Sequence, residues 1–136
     1  MDLEWKLEVV VLPVSDVDRA KHFYADQIGF QVDVDQRFGE HTRVVQLTPR
    51  GSACSISFVQ GMGDQPVPPG SVKGLQLVVA NIEAAREHLV QRGIDVSPVR
   101  HVDNGTWLDG PGGPWNSFIF FSDPDGNAWT VQEKPR

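Results

Sequence analysis

The chain has 136 residues, of which 40% are hydrophobic and 22% charged, with a formal net charge of −6. This length suits one domain and buries a core without staples, and the acidic balance, with no run of Lys or Arg, argues against nucleic acid, whose phosphates call for a basic stripe. Apolar runs are too short to cross a bilayer, Met1-Asp2-Leu3-Glu4 carries acids where a signal peptide has bases, and the single Cys54 excludes an internal disulfide; a cytoplasmic location with no membrane partner is expected.

Residues 9–14, Val-Val-Val-Leu-Pro-Val, read as a first strand. Ser15 or Asp16 caps a helix whose apolar stripe is Val17, Ala20, Tyr24 and Ile28, about 11 residues ending at Gly29. Strands are expected at 30–35, 42–48 and 54–60, the last with Cys54, Ile56 and Phe58 on one face and Ser55, Ser57 and Val59 on the other. Residues 61–70 hold three glycines and three prolines and read as a linker.

The plan then restarts. A strand at 75–79 precedes a helix capped by Asn81 with Ile82, Ala85 and Leu89 as its stripe, stopped by Gly93. Strands at 94–99, 115–122 and 127–133 follow, with a long glycine-rich loop at 100–114 and a tight turn at Ser122-Asp123-Pro124-Asp125-Gly126. Val17, Ala20 and Tyr24 recur as Ile82, Ala85 and Leu89, each 65 residues later. Two ordinary strand–helix units with similar needs are the alternative to a true duplication. Each half offers one helix, which covers one face of a sheet; the other face is left for the second half, a partner chain or a ligand.

The stretch Leu12-Pro-Val-Ser-Asp-Val-Asp-Arg-Ala-Lys-His-Phe-Tyr24, then Ile28-Gly29-Phe30, and the ending Phe121-Ser-Asp-Pro-Asp-Gly-Asn127 resemble the vicinal oxygen chelate superfamily of glyoxalases, bleomycin-resistance proteins and extradiol dioxygenases. The resemblance implies an α+β fold: two tandem βαβββ modules, about 7–60 and 71–136, forming a curved mixed-sheet trough within one domain over 1–136. It also implies that dimers are common. The superfamily's metal enzymes place His and Glu ligands on the first and last strand of each module. Here those positions fall at Val9, at about Gly74, at Thr130, and near Ser55 or Ser57. None is an imidazole or carboxylate, as iron, zinc, nickel or manganese requires. No metal and no cofactor are expected.

Strand alternation points the same way. If the greasier faces lie under the helices, the open faces carry Val9, Val11, Ser55, Ser57, Gln76, Val78, Thr130 and Gln132, a neutral lining free of carboxylates. Trp107, in a polar loop, is a lid over the ligand or a dimer contact. His41 and His101 are the candidates for a general base, and His22 and His88 lie on helix faces away from the trough. Cys54 falls on the packed face, and no nucleophile elbow or phosphate loop is present. The expected function is therefore metal-free binding of a small, partly aromatic metabolite or drug by a homodimer. The alternatives are a lyase, isomerase or dioxygenase with a rebuilt or absent metal site, and a partner-binding module.

Overall fold

A computed structural model describes residues 3–63 and 67–135. Met1-Asp2, residues 64–66 of the expected linker, and Arg136 lie outside the described residues. The chain divides into two compact units, Met1–Pro69 and Gly70–Arg136.

In the first unit, β1 (Val9–Val11) leads to helix α1 (Val17–Lys21), a π-helix (His22–Ile28), β2 (Gln31–Phe38), β3 (Thr42–Thr48) and β4 (Ser55–Gln60). The sheet order is β1-β4-β3-β2, with β1 parallel to β4 and the other pairs antiparallel. β1 ends three residues earlier than expected. Leu12 N still donates to Ser57 O at 2.9 Å, but Pro13 has no N–H to continue the ladder. The Asp16 carboxylate caps α1 by accepting from Arg19 N at 3.0 Å. The expected single helix has the right length but changes winding at His22. It closes at Gly29, whose φ of 101° suits a residue without Cβ, and Gly29 N and Phe30 N both donate to Tyr24 O. The wider winding accompanies burial of two adjacent rings, Phe23 and Tyr24. Tyr24 meets Phe58 and Phe30 at centroid distances of 5.5 and 5.9 Å. With Val17, Ala20, Val45, Leu47 and Ile56 they form the core beneath the helix.

The second unit runs β5 (Leu75–Val79), α2 (Ile82–Gln91), β6 (Arg100–Asp103), β7 (Thr106–Asp109), β8 (Phe118–Ser122) and β9 (Ala128–Glu133). Its order, β5-β9-β8-β6-β7, repeats the first–last–third–second pattern of the first unit, again with first and last strands parallel, and adds β7 at the edge. Asn81 caps α2 by accepting from Glu83 N and Ala84 N, and Glu133 Oε2 accepts from Ile82 N at 2.8 Å. Ile82, Leu89, Ile94, Val96, Ile119, Phe121, Trp129 and Val131 are buried.

Two expectations fail here. Residues 94–99 form no strand; a lone bridge joins Val96 to Phe121, because Pro98 interrupts the donors while Ile94 and Val96 bury their side chains from irregular backbone. The loop expected at 100–114 contains the β6–β7 hairpin. Its turn is Asn104-Gly105, with φ of 50° and 78°, the double left-handed geometry that Asn-Gly favours between strands. The turn before β9 forms as expected. Asp123 Oδ1 accepts from the backbone N–H of Asp125, Gly126 and Asn127, each at 2.9 Å, and Asn127 Nδ2 donates to Asp123 Oδ2. Among the described residues no helix is long and apolar enough to cross a membrane.

Candidate ligand-binding faces

Register fixes which side chains share a face. In the first unit Val9 pairs with Ser55, Val11 with Ser57, Ser57 with Gln46, and Gln46 with Val34. The face away from the helix therefore carries Val9, Val11, Ser55, Ser57, Val59, Val44, Gln46, Thr48 and Val34. Val9 and Val11 are exposed, whereas Ser55 and Ser57 are buried. One expectation is corrected: the open face is not free of carboxylates. β2 is irregular between Val32 and Val34, and the extra residue, Asp33, is turned onto the open face, where Thr48 Oγ1 donates to its Oδ2. A bulge re-aims a side chain in just this manner, and nothing in a period-two reading of 30–35 signals it.

The opposite face of the same sheet carries charge as well. Arg43 is buried and donates from Nε and Nη2 to the two Asp35 oxygens at 2.9 Å each, and from Nη1 to Asp18 at 2.6 Å. Lys21 donates a third bond to Asp35 at 2.7 Å. Hydrogen bonds from Arg43, then from Lys21, hold the Asp35 carboxyl well below the usual carboxylate range. The bond from Arg43 also lowers Asp18, and the two aspartates raise Arg43 above its ordinary value. This fork ties α1, β2 and β3 together; it is a fastening, with both Asp35 oxygens taken up.

In the second unit Gln76 pairs with Thr130, Val78 with Gln132, Phe120 with Thr130, and Phe118 with both Gln132 and Arg100. Val102 pairs with Trp107, and Arg100 with Asp109. The open face thus holds Gln76, Val78, Thr130, Gln132, Phe118, Phe120, Trp107, Arg100 and Asp109. Trp107 is on strand β7 rather than in a loop. Its indole meets Phe118 and Phe120 edge-on, at 5.3 and 5.2 Å with interplanar angles of 85° and 88°, and it remains 45% exposed. Phe118 and Phe120 alternate with the buried Ile119 and Phe121 and so belong to this face. Gln76 Nε2 donates to Gln132 Oε1 at 2.6 Å, and Gln132 Nε2 to Trp115 O at 2.7 Å. That chain anchors the loop bearing Trp115, which is half exposed and has a φ of 62°. Arg100 Nε lies 3.5 Å from Asp109 Oδ1, a charge pair too misaligned to satisfy that buried nitrogen.

The remaining candidates separate. His41 is exposed at the β2–β3 turn, 4.0 Å from Glu40. His101 points to the side opposite Trp107, with Nδ1 2.8 Å from Gly110 O. His22 meets Asp26 at 2.9 Å on the π-helix surface. Cys54 lies just before β4, half-buried rather than packed. A shallow concavity lined by Glu83, Arg86, Glu87, Val90, Pro98 and Val99 lies on the helix side of the second unit. Arg86 Nε there is engaged by Ser97 O, and the concavity shares no residue with either open face.

Comparison with known proteins supplies the family. The model of the Glyoxalase/Bleomycin resistance protein/Dioxygenase superfamily matches residues 6–131. The chain belongs to this superfamily. TnmS3, described as an antibiotic binding protein from Streptomyces sp. CB03234, is 32% identical, with a TM-score of 0.78 over 99% of this chain and 100% of that one. A glyoxalase/bleomycin resistance protein from the same organism is 34% identical, with a TM-score of 0.72 over 93% and 99%. A superfamily member from Sphaerobacter thermophilus is 25% identical, with a TM-score of 0.76 over 96% and 98%.

The donor set does not fit the metal of the superfamily's enzymes. The positions to which the resemblance assigns its ligands, Val9, about Gly74, near Ser55 or Ser57, and Thr130, carry side chains that are apolar, absent or neutral hydroxyls. Among the described residues no group of three or more His, Cys, Asp and Glu side chains comes together as a metal cage.

Proposed function

We propose that this superfamily member binds a small, partly aromatic organic molecule in the cytoplasm and holds it without a metal ion, in the manner of a sequestering or carrier protein for a drug or metabolite. One observation carries the reading: Trp107, Phe118 and Phe120 form an edge-to-face aromatic cluster on an open sheet face, with the indole half exposed. A planar ligand ring stacked there gains offset and edge contacts worth about 0.5–1.5 kcal/mol per ring pair beyond its area burial. Gln76, Thr130 and Gln132 lie beside the cluster as hydrogen-bonding neighbours, and Val78 as apolar wall. Similarity over the whole chain to a protein described as antibiotic binding supports drug-like ligands as the class.

Tryptophan fluorescence titrated with a panel of aromatic antibiotics tests this. Saturable quenching that is lost in Trp107→Ala is expected, with affinity unchanged after dialysis against a chelator. Quenching that persists in Trp107→Ala, or a stoichiometric metal in protein purified without chelator and required for binding, overturns it.

The same reading includes a homodimer. Leu3, Trp5 and Leu7 are 65%, 87% and 75% exposed and alternate with Glu4, Lys6 and Glu8, continuing the parity of Val9 and Val11. Antiparallel pairing of two such arms about Trp5 sets Leu3 against Leu7 on one side, and Glu4 against Lys6 on the other, an isologous contact. Sedimentation should give a dimer for the native chain and a monomer for Trp5→Glu; a monomeric native chain refutes it.

A further inference from the structure

We propose that Asp33, with Thr48 and Ser55, forms a recognition point for a protonated amine of a small organic molecule, on the open face of the first unit. The inference rests on the ligand-binding reading of the open faces and adds the class of group that this one takes.

The bulge in β2 carries the placement. Asp35 turns to the helix side and spends both oxygens on Arg43 and Lys21. Asp33 is turned the other way, and its one hydrogen-bond partner among the described residues is Thr48, whose hydroxyl donates to Oδ2. It is exposed, and no ion pair joins it to a Lys, Arg or His among those residues. Its surroundings by register are Val9 across Ser55, Gln31 opposite Thr48, and Val34 opposite Gln46, all uncharged.

Proton counting then fixes what the cluster accepts. A hydroxyl has one proton. Thr48 gives its proton to Asp33, so in the 2.7 Å contact between Thr48 Oγ1 and Ser55 Oγ the serine must be the donor. Both hydroxyl protons point toward the carboxylate, and the chain polarises in that direction. Neither hydroxyl has a proton left for a ligand carbonyl or phosphate; what remains open on the cluster itself is acceptor capacity at Asp33 Oδ1. A group bonded to Asp33 donates, and an ammonium does so with charge opposite to that of the carboxylate, giving the stronger, charge-assisted bond. On the open face of the other unit the Asp109 carboxylate lies beside a cation, with Oδ1 3.5 Å from Arg100 Nε, whereas Asp33 has none beside it among the described residues.

Two fragments with the same ring separate charge from shape: benzylammonium and the neutral N-benzylacetamide, followed by amide and indole NMR shifts in the full chain. Benzylammonium should shift the amides of Asp33, Thr48 and Ser55 and bind about fivefold more tightly than N-benzylacetamide, the scale of one solvent-accessible ion pair. High salt should erase the preference. Asp33→Asn keeps an oxygen for Thr48 and hence the bulge, and should bring the ratio to about one. Thr48→Val, which frees Asp33 to swing, should reduce the ratio without abolishing it. Equal ratios in the native chain and Asp33→Asn, or shifts that avoid these three residues, overturn the proposal. The Trp107 indole resonance reports separately: if it ignores both fragments while the Asp33 amide responds, the aromatic-cluster reading fails and the amine site stands.

Discussion

The Arg43 fork permits a quantitative test of what fastens the first unit. Replacing Asp35 by Asn leaves the guanidinium in place, 93% covered as a side chain, and removes the carboxylate that takes two of its three bonds and the Lys21 bond. Stranding one partner of a fully buried pair costs about 3–5 kcal/mol. Asp35 itself keeps 24% of its side-chain surface, and Asp18 still faces Arg43, so water and the second aspartate recover part of this; a loss of about 2 kcal/mol is expected. With a urea slope of about 2 kcal/mol per molar, the midpoint should fall by roughly 1 M. Amide exchange of β2 and β3 would localise the change to this unit. The pH dependence has a definite sign. The folded carboxyl is depressed below its unfolded value of about 3.9, so its stabilisation is complete above that pH and is lost as the pH falls toward the lower folded value. The gap between native chain and Asp35→Asn should be constant from pH 7 to about 5 and shrink below pH 4. Equal midpoints at pH 7, or a gap that persists unchanged into strong acid, would refute this account of the fork.

Two further substitutions probe backbone geometry. Gly70→Ala puts a Cβ 1.9 Å from the Asp125 carbonyl oxygen at a φ of 81°. The turn before β9 must open, and a loss of at least about 2 kcal/mol, read by thermal or urea unfolding, is expected; native stability would show that this close approach is dispensable. Gly105→Val meets no neighbour but carries a β-branched residue at a φ of 78°. It should cost about 1–2 kcal/mol, loosen the β6–β7 hairpin, and weaken the near-ultraviolet dichroism of Trp107 against Phe118 and Phe120. An unchanged spectrum would mean that the hairpin does not depend on its turn.

Local signals carry far into this molecule. Caps at Asp16 and Asn81, stops at Gly29 and Gly93, and the Asp123–Gly126 turn are read from a few residues each, because each side chain or glycine solves a bonding problem within four positions. The hairpin at 100–109 was equally legible, since Asn104-Gly105 is a strong local turn signal; it was masked by the glycines that follow. Phe118 and Phe120 were legible too, by period-two alternation against Ile119 and Phe121.

The sequence by itself determined the repeated strand–helix plan and the membership of Val9, Val11, Ser55, Ser57, Gln76, Val78, Thr130 and Gln132 in the faces away from the helices. These follow from residue type and from a side-chain period that each strand obeys alone. Tertiary structure decided what pairing between strands decides. A bulge visible only against β3 turns Asp33 outward and leaves Asp35 beneath Arg43. Register brings Trp107 over two phenylalanines that lie eleven and thirteen positions away. A short-range pattern holds no record of which strand lies beside which, so neither the charge on the first open face nor the aromatic cluster on the second could be read until the ladders were in place.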